Sequence, residues 1–200
     1  MLPSAEVRWF DVEPLPKDLR LWFQRRCPMA DENRRTDSYL VMPGSTVVGV
    51  KLREGRLEIK AQREPAREVR YPNGVAGRAD GWIKLSLETS IESTGLSLIN
   101  VNKHRRLQCY SFDAGHPTLV GAGDQSVEGC SCELTALEIG DRKFWTLGLE
   151  AFGPAEHVDA ILAATASYVF APEACPKPLR IQMSFSYPAW LLSLQTGGYG

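Results

Sequence analysis

VGVKLREGRLEIKAQR, residues 48–63, alternates apolar and charged side chains on either side of a tight turn at Glu54-Gly55, which is the pattern of a β-hairpin. Side chains two apart share one face of a strand. Lys51 and Arg53 therefore lie opposite Val48, Val50 and Leu52, while Arg56, Glu58, Lys60 and Gln62 lie opposite Leu57, Ile59 and Ala61. One face is apolar and the other carries more charge than a hairpin ordinarily does. INVNKHRRL, residues 99–107, repeats the split: Val101, Lys103 and Arg105 oppose Asn102, His104 and Arg106.

The apolar faces decide which way these strands turn. A row of Val and Ile left open to water invites edge-to-edge association, so it needs cover. Two amphipathic helices can supply it. LPKDLRLWFQRR (15–26) places Leu19, Trp22, Phe23 and Arg26 on one stripe, and PAEHVDAILAATASYVF (154–170) does the same with Val158, Ile161, Leu162, Thr165 and Val169. If the helices cover the outer, apolar side, the charged side faces the inside of a curved sheet. Like charges there repel by about 4 kcal/mol per unit pair at ~4 Å and an effective dielectric near 20, so counter-charge is required. It can come from Glu6, Glu58, Glu133 and Glu150, or from a multiply charged anion bound through charge-assisted hydrogen bonds. The competing arrangement is an antiparallel sheet with its charged face in water.

Elsewhere, SAEVRWFDV (4–12) reads as a first strand, with Glu6, Arg8 and Phe10 on one side and Val7 and Trp9 on the other. PMADENRRTD (28–37) reads as a polar loop before a strand at SYLVM (38–42) and a turn at Pro43-Gly44. Residues 64–80 show no apolar periodicity and read as a connection, followed by strands at GWIKLSLE (81–88) and LSLINVNKHRRLQCYSF (96–112). The glycine-rich stretch 113–129 reads as a mobile loop, and 131–153 as a hairpin turning at Gly140-Asp141. The tail QMSFSYPAWLLSLQTGGYG gives a strand or short helix and then a fraying glycine-rich end. About eight strands joined by short turns, with two helices, define an α+β chain: a single domain over 1–200, built as an antiparallel closed or nearly closed β-barrel with covering helices. A doubly wound parallel sheet would need helices between strands throughout the middle of the chain, where there are none.

Composition narrows the partners. Lys and Arg (23) nearly cancel Asp and Glu (24), so no global field draws the chain to nucleic acid or a lipid surface. The NKHRRL run has no stacking aromatics beside it, and nucleic-acid binding is not expected. No stretch approaches the roughly 20 apolar residues of a membrane span, so a cytoplasmic location is the expectation. Cys130 and Cys132 share a strand face, but the other two ligands of a closed zinc site are missing, and His104, His116 and His157 are scattered.

Taken in order, EVRWF (6–10), KLR (Lys51, Arg53), EIK (Glu58, Lys60), KHR (Lys103, Arg105) and LGLEAFG (147–153, with Glu150) resemble the CYTH superfamily of triphosphate tunnel metalloenzymes. Members of that superfamily are eight-stranded antiparallel barrels around a charged tunnel, beginning with an ExExK strand. The resemblance spans nearly the whole chain and implies an inward-facing set of phosphate ligands: Arg8, Lys51, Arg53, Lys60, Lys103 and Arg105. It also implies a carboxylate set, Glu6, Glu58, Glu133 and Glu150, for catalysis, with Glu6 and Glu150 holding Mg²⁺ or Mn²⁺. The first motif is degenerate, however: Arg8 replaces its second glutamate, Phe10 replaces its lysine, and Gly148 stands where a glutamate would accompany Glu150. An arginine in place of a carboxylate opposes a divalent ion while favouring an anion. The expectation is therefore a tunnel that binds a triphosphate-bearing or inorganic polyphosphate ligand with weak or absent metal-dependent hydrolysis. The alternatives are an active Mg²⁺-dependent triphosphatase of the same fold, and a protein-interaction module docking a partner through Trp22 and Phe23.

Overall fold

The computed structural model describes residues 3–40, 42–88, 97–113, 115–121, 123–124 and 126–197; the glycine-rich end beyond 197 lies outside them. Among the described residues the strands are β1 (Pro3–Asp11), β2 (Asp31–Leu40), β3 (Val48–Arg53), β4 (Arg56–Arg70), β5 (Ala76–Glu88), β6 (Leu98–Asp113), β7 (His116–Val120), β8 (Gly129–Ile139) and β9 (Arg142–Phe152). The helices are α1 (Lys17–Arg26), α2 (Val158–Phe170) and α3 (Tyr187–Gln195). Every strand pairing is antiparallel, in the order β2-β3-β4-β5-β1-β9-β8-β6, and the sheet closes because β2 also pairs with β6. β7 adds to the far end of β6. The result is the expected α+β architecture, an eight-stranded closed barrel with one extra strand. Eight strands leave an interior wide enough only for side chains or one small ligand.

The hairpin at 48–63 turns as expected. Glu54 and Gly55 both have positive φ, 49° and 74°, the pair of conformations a type I′ turn needs to match the twist of its strands. The register sets Lys51 beside Glu58 and Gly49 beside Lys60. In β1 the faces divide cleanly. Ala5, Val7 and Trp9 join the outer apolar core with α1 and α2, while Glu6 and Arg8 line the interior.

Three stretches read as loops are strands. Residues 31–37 belong to β2, which makes ten register pairs with β6 and closes the barrel. Its inward side chains are Arg35, Asp37 and Tyr39 and its outward ones are polar, so no apolar alternation marks it. Residues 64–70 continue β4 past two register shifts, between Gln62 and Glu64 and between Glu64 and Arg67, and residues 76–80 already belong to β5. Pro65 sits within that bulged section, where the ladder is interrupted and its missing N–H is tolerated. Within 113–129, β7 pairs with the end of β6.

Helical cover is narrower than expected. α2 packs on β1, β8, β9 and β7, and α1 buries Leu19, Trp22 and Phe23 against it, with the Trp22 and Phe170 rings stacked at 6.0 Å. Helices of 10 and 13 residues, roughly 15–20 Å long, cannot wrap a whole barrel. The outer faces of β3 to β5 stay half-exposed, with Leu85 and Leu87 the most open. Cys27, Cys130 and Cys132 are buried in the outer core as free thiols. No described helix is long and apolar enough to cross a membrane.

α3 lies across one end of the barrel. β1 pairs with β5 only as far as Val7; beyond it, Ser184 bridges Trp9, Phe185 N donates to Arg8 O, and the chain turns inward. Ser186 caps α3 by accepting from Ala189 N. Trp190 then stacks on Phe10 at 4.4 Å and meets Phe144 edge-on, forming a second apolar core with Val101 and Leu137.

Candidate functional site: a charged cavity inside the barrel

Above this apolar floor lies a cavity of about 240 Å³. The ten residues singled out from the sequence all line it: Glu6, Arg8, Lys51, Arg53, Glu58, Lys60, Lys103, Arg105, Glu133 and Glu150. They come from six strands, each contributing alternate positions, which is how a barrel converges side chains on its axis. The sequence reading missed Arg35, Asp37, Tyr39, Lys84 and Tyr187. Arg35 and Asp37 were hidden by the loop reading of β2. Lys84 shares the inward face of β5 with Trp82, and its register pairing with Lys60 could have revealed it.

The interior charges form linked clusters. Glu6 accepts from Arg8 Nε at 2.7 Å and from Lys60 Nζ at 2.9 Å, and Lys60 also donates to Glu150 at 2.7 Å. Burial would raise the Glu6 carboxyl, but Lys60 and Arg8 outweigh it and hold it at about 2. Arg8 reaches across to Glu133 at 3.0 Å, which also accepts from Arg105 Nε at 2.7 Å and from Thr135 at 3.0 Å. Burial is likewise overcome there by Arg8 and Arg105, leaving Glu133 well below the usual carboxylate range. Glu58 pairs with Arg53, with Lys51 at 3.1 Å and with Lys84 at 3.3 Å; these cations overcome its burial and hold it at about 2.

Behind the cavity wall, Asp37 is fully buried and gathers Lys103 at 2.8 Å, Arg35 at 3.1 Å and Lys51 at 3.3 Å. Lys103 also donates to Tyr39 Oη at 2.7 Å and lies 4.2 Å from the Tyr187 ring centroid. Burial pulls both Lys103 and Lys51 down to about 8, and Lys103 and Lys51 repel each other enough to lower Lys51 further.

Eight lysines and arginines line the cavity against four glutamates; each of the eight meets a carboxylate, and counting the buried Asp37 and Asp80 the basic groups still outnumber the acidic ones by two. Arg8, Lys103 and Arg105 are each less than a tenth exposed, so this surplus sits in a poorly solvated space. The interior therefore carries a net positive charge.

The carboxylates do not fit a divalent metal. The Arg8 guanidinium lies between Glu6 and Glu133, and Lys60 lies between Glu6 and Glu150, so tethered cations fill both gaps a bridging ion would need. Among the described residues no three histidines, cysteines or carboxylates are grouped to hold a metal ion.

No family model matches the chain, and no curated protein sequence matches it.

Proposed function

We propose that the protein binds a triphosphate-bearing or inorganic polyphosphate ligand inside the barrel, with weak or absent hydrolysis. The observation that carries this reading is the enclosed surplus of positive charge, eight basic side chains facing four glutamates around one cavity. Arginine and lysine clusters of this kind bind phosphate oxygens through charge-assisted hydrogen bonds, and a phosphate chain is the compact ligand that brings several charges at once. The cavity, at about 240 Å³, falls below the roughly 300–1,000 Å³ typical of small-molecule pockets, which favours the phosphate part of a ligand over a bulky organic group. The likeness to triphosphate tunnel metalloenzymes points the same way, and the closed eight-stranded barrel is compatible with it. Hydrolysis is expected to be weak because phosphoryl transfer relies on charge neutralisation and positioning that metal ions ordinarily supply, and the glutamates here are engaged by Arg8, Lys60, Arg105 and Arg53. A docking role for Trp22 and Phe23 has little support, since both are fully buried.

A thermal-shift series in metal-free buffer tests the reading. Inorganic tripolyphosphate and ATP are expected to raise the melting temperature, with stabilisation of about 2.7 kcal/mol at a hundredfold excess over Kd. Lys51→Ala and Arg53→Ala should weaken the effect. No response to any phosphate compound would overturn it.

A further inference from the structure

Resting on the phosphate-binding reading, we infer that the cavity takes its anion free of divalent metal and selects against the Mg²⁺ complex of the same ligand. Arg8 and Lys60 are the residues that make this choice. Lys60 Nζ stands 2.9 Å from Glu6 Oε2 and 2.7 Å from Glu150 Oε1, and the Arg8 guanidinium stands 2.7 Å from Glu6 Oε1 and 3.0 Å from Glu133 Oε1. Each of these three glutamates already faces a cation that cannot diffuse away. Glu58 is engaged in the same manner by Arg53, Lys51 and Lys84.

A Mg²⁺ ion keeps near-ideal octahedral geometry, dehydrates reluctantly, and is usually anchored to protein by one or two carboxylates besides its phosphate oxygens. Here the buried Glu6 and Glu133 could serve as anchors only by displacing Arg8, Arg105 or Lys60, and the more exposed Glu150 would have to hold the ion beside the Lys60 ammonium on its Oε1. An ion carried in on the phosphates would meet two or more positive side chains at short range, where repulsion is weakly screened. Coordination also neutralises part of the ligand charge that the net positive cavity would otherwise attract. The backbone reinforces the arrangement. Gly148, directly across the β1–β9 ladder from Arg8, leaves space for the guanidinium and contributes no carboxylate. All three effects have the same sign, so the ligand class is a condensed phosphate, free or esterified, without its usual metal ion, and free Mg²⁺ acts as a competitor that withdraws ligand from the protein.

The test is a calorimetric titration of inorganic tripolyphosphate into the full chain near neutral pH, once with a chelator and once with Mg²⁺ in excess of ligand, the ionic strength matched with NaCl so that screening is equal. Binding is expected to be about tenfold or more weaker with Mg²⁺. Equal or tighter binding with Mg²⁺ overturns the inference while leaving phosphate binding intact, and no binding in either condition overturns both. The wild-type comparison decides without a variant. Arg8→Glu, if it folds, should reduce or reverse the Mg²⁺ effect, and an unchanged Mg²⁺ dependence in a folded Arg8→Glu protein would remove Arg8 from the explanation.

Discussion

Arg8 and Gly148 are register partners on β1 and β9, and a Cβ at position 148 would lie 2.7 Å from Arg8 Cζ. The glycine is set by the space above it, since its φ is not in the left-handed region. The Arg8 guanidinium could move aside, but it is clamped by Glu6 and Glu133, so moving it breaks buried ion pairs. Two of the three departures from the tunnel-enzyme pattern, arginine for glutamate on the first strand and glycine for glutamate on the last, are thus one physical event: a guanidinium laid over a bare backbone.

Gly148→Ala is therefore expected to destabilise the protein by about 1–3 kcal/mol, the usual range for overpacking. The double variant with Arg8→Ala should recover part of that loss, with a coupling energy of about 1 kcal/mol or more. Urea unfolding of the four proteins in the cycle measures it. Additive effects would show that the contact is readily relieved.

Ligand affinity should depend on alkaline pH. Lys51 and Lys103 are held at about 8, below the ordinary 10.5, chiefly by burial. A bound polyanion favours their ammonium forms and raises both values again. Below about pH 8 the lysines are already protonated and affinity is flat on their account; above it, binding takes up protons and affinity falls, by at most about tenfold per pH unit for each lysine. Calorimetry above pH 8 in two buffers of different ionisation enthalpy reads this proton uptake directly. Binding that persists there with no uptake would be incompatible with these lysines contacting the anion.

Asp80 gives a stability signature of opposite character to the other interior carboxylates. Burial lifts it to about 6 from its ordinary 3.8, with the Gln62 hydrogen bond partly offsetting and Glu6 adding to the rise. A raised carboxyl stabilises the fold below its unfolded value and loses that contribution as pH climbs through about 6. Asp80→Asn keeps the shape without the charge and should stabilise the protein by about 2 kcal/mol above neutrality, with no gain below about pH 4. Glu6 and Glu58, held at about 2, act in reverse: their contribution is complete above their ordinary 4.5 and disappears as pH falls toward 2. Melting temperature followed across pH in wild type and Asp80→Asn separates the two trends.

How much of this was legible in the sequence depends on what each strand faces. β1, β3 and β4 separate apolar from charged positions, because their outer faces are packed or half-covered and their inner faces meet the cavity. That contrast placed Lys51 and Lys60, whereas Lys103 and Glu150 stood out only through the order of the charged motifs along the chain. β2 has water on one side and ionised groups on the other. DENRRTDSYL consequently carries little apolar period, and residues 31–37 of the strand that closes the barrel read as a loop. With it went Arg35 and Asp37, whose roles depend on pairings between Asp37 and Val101 and between Arg35 and Lys103 that no local pattern encodes. The engagement of the glutamates was equally illegible, since whether Glu6 faces a metal ion or Lys60 is decided by a residue 54 positions away.

Asp37 offers the sharpest separation of structural from ligand charge. It is fully buried, and Lys103, Arg35 and Lys51 converge on it within 3.3 Å. Removing its charge leaves three cations facing one another in a poorly hydrated interior, and breaking a buried ionic cluster in this way typically destabilises by about 3–5 kcal/mol. Asp37→Asn preserves the side-chain shape, so the loss reports charge. An anion arriving from the cavity can replace the missing carboxylate for Lys51 and Lys103, which line that cavity. Inorganic tripolyphosphate is accordingly expected to raise the melting temperature of Asp37→Asn by more than it raises that of wild type. An equal or smaller rise in the variant would mean that the ligand does not reach the lysines Asp37 holds.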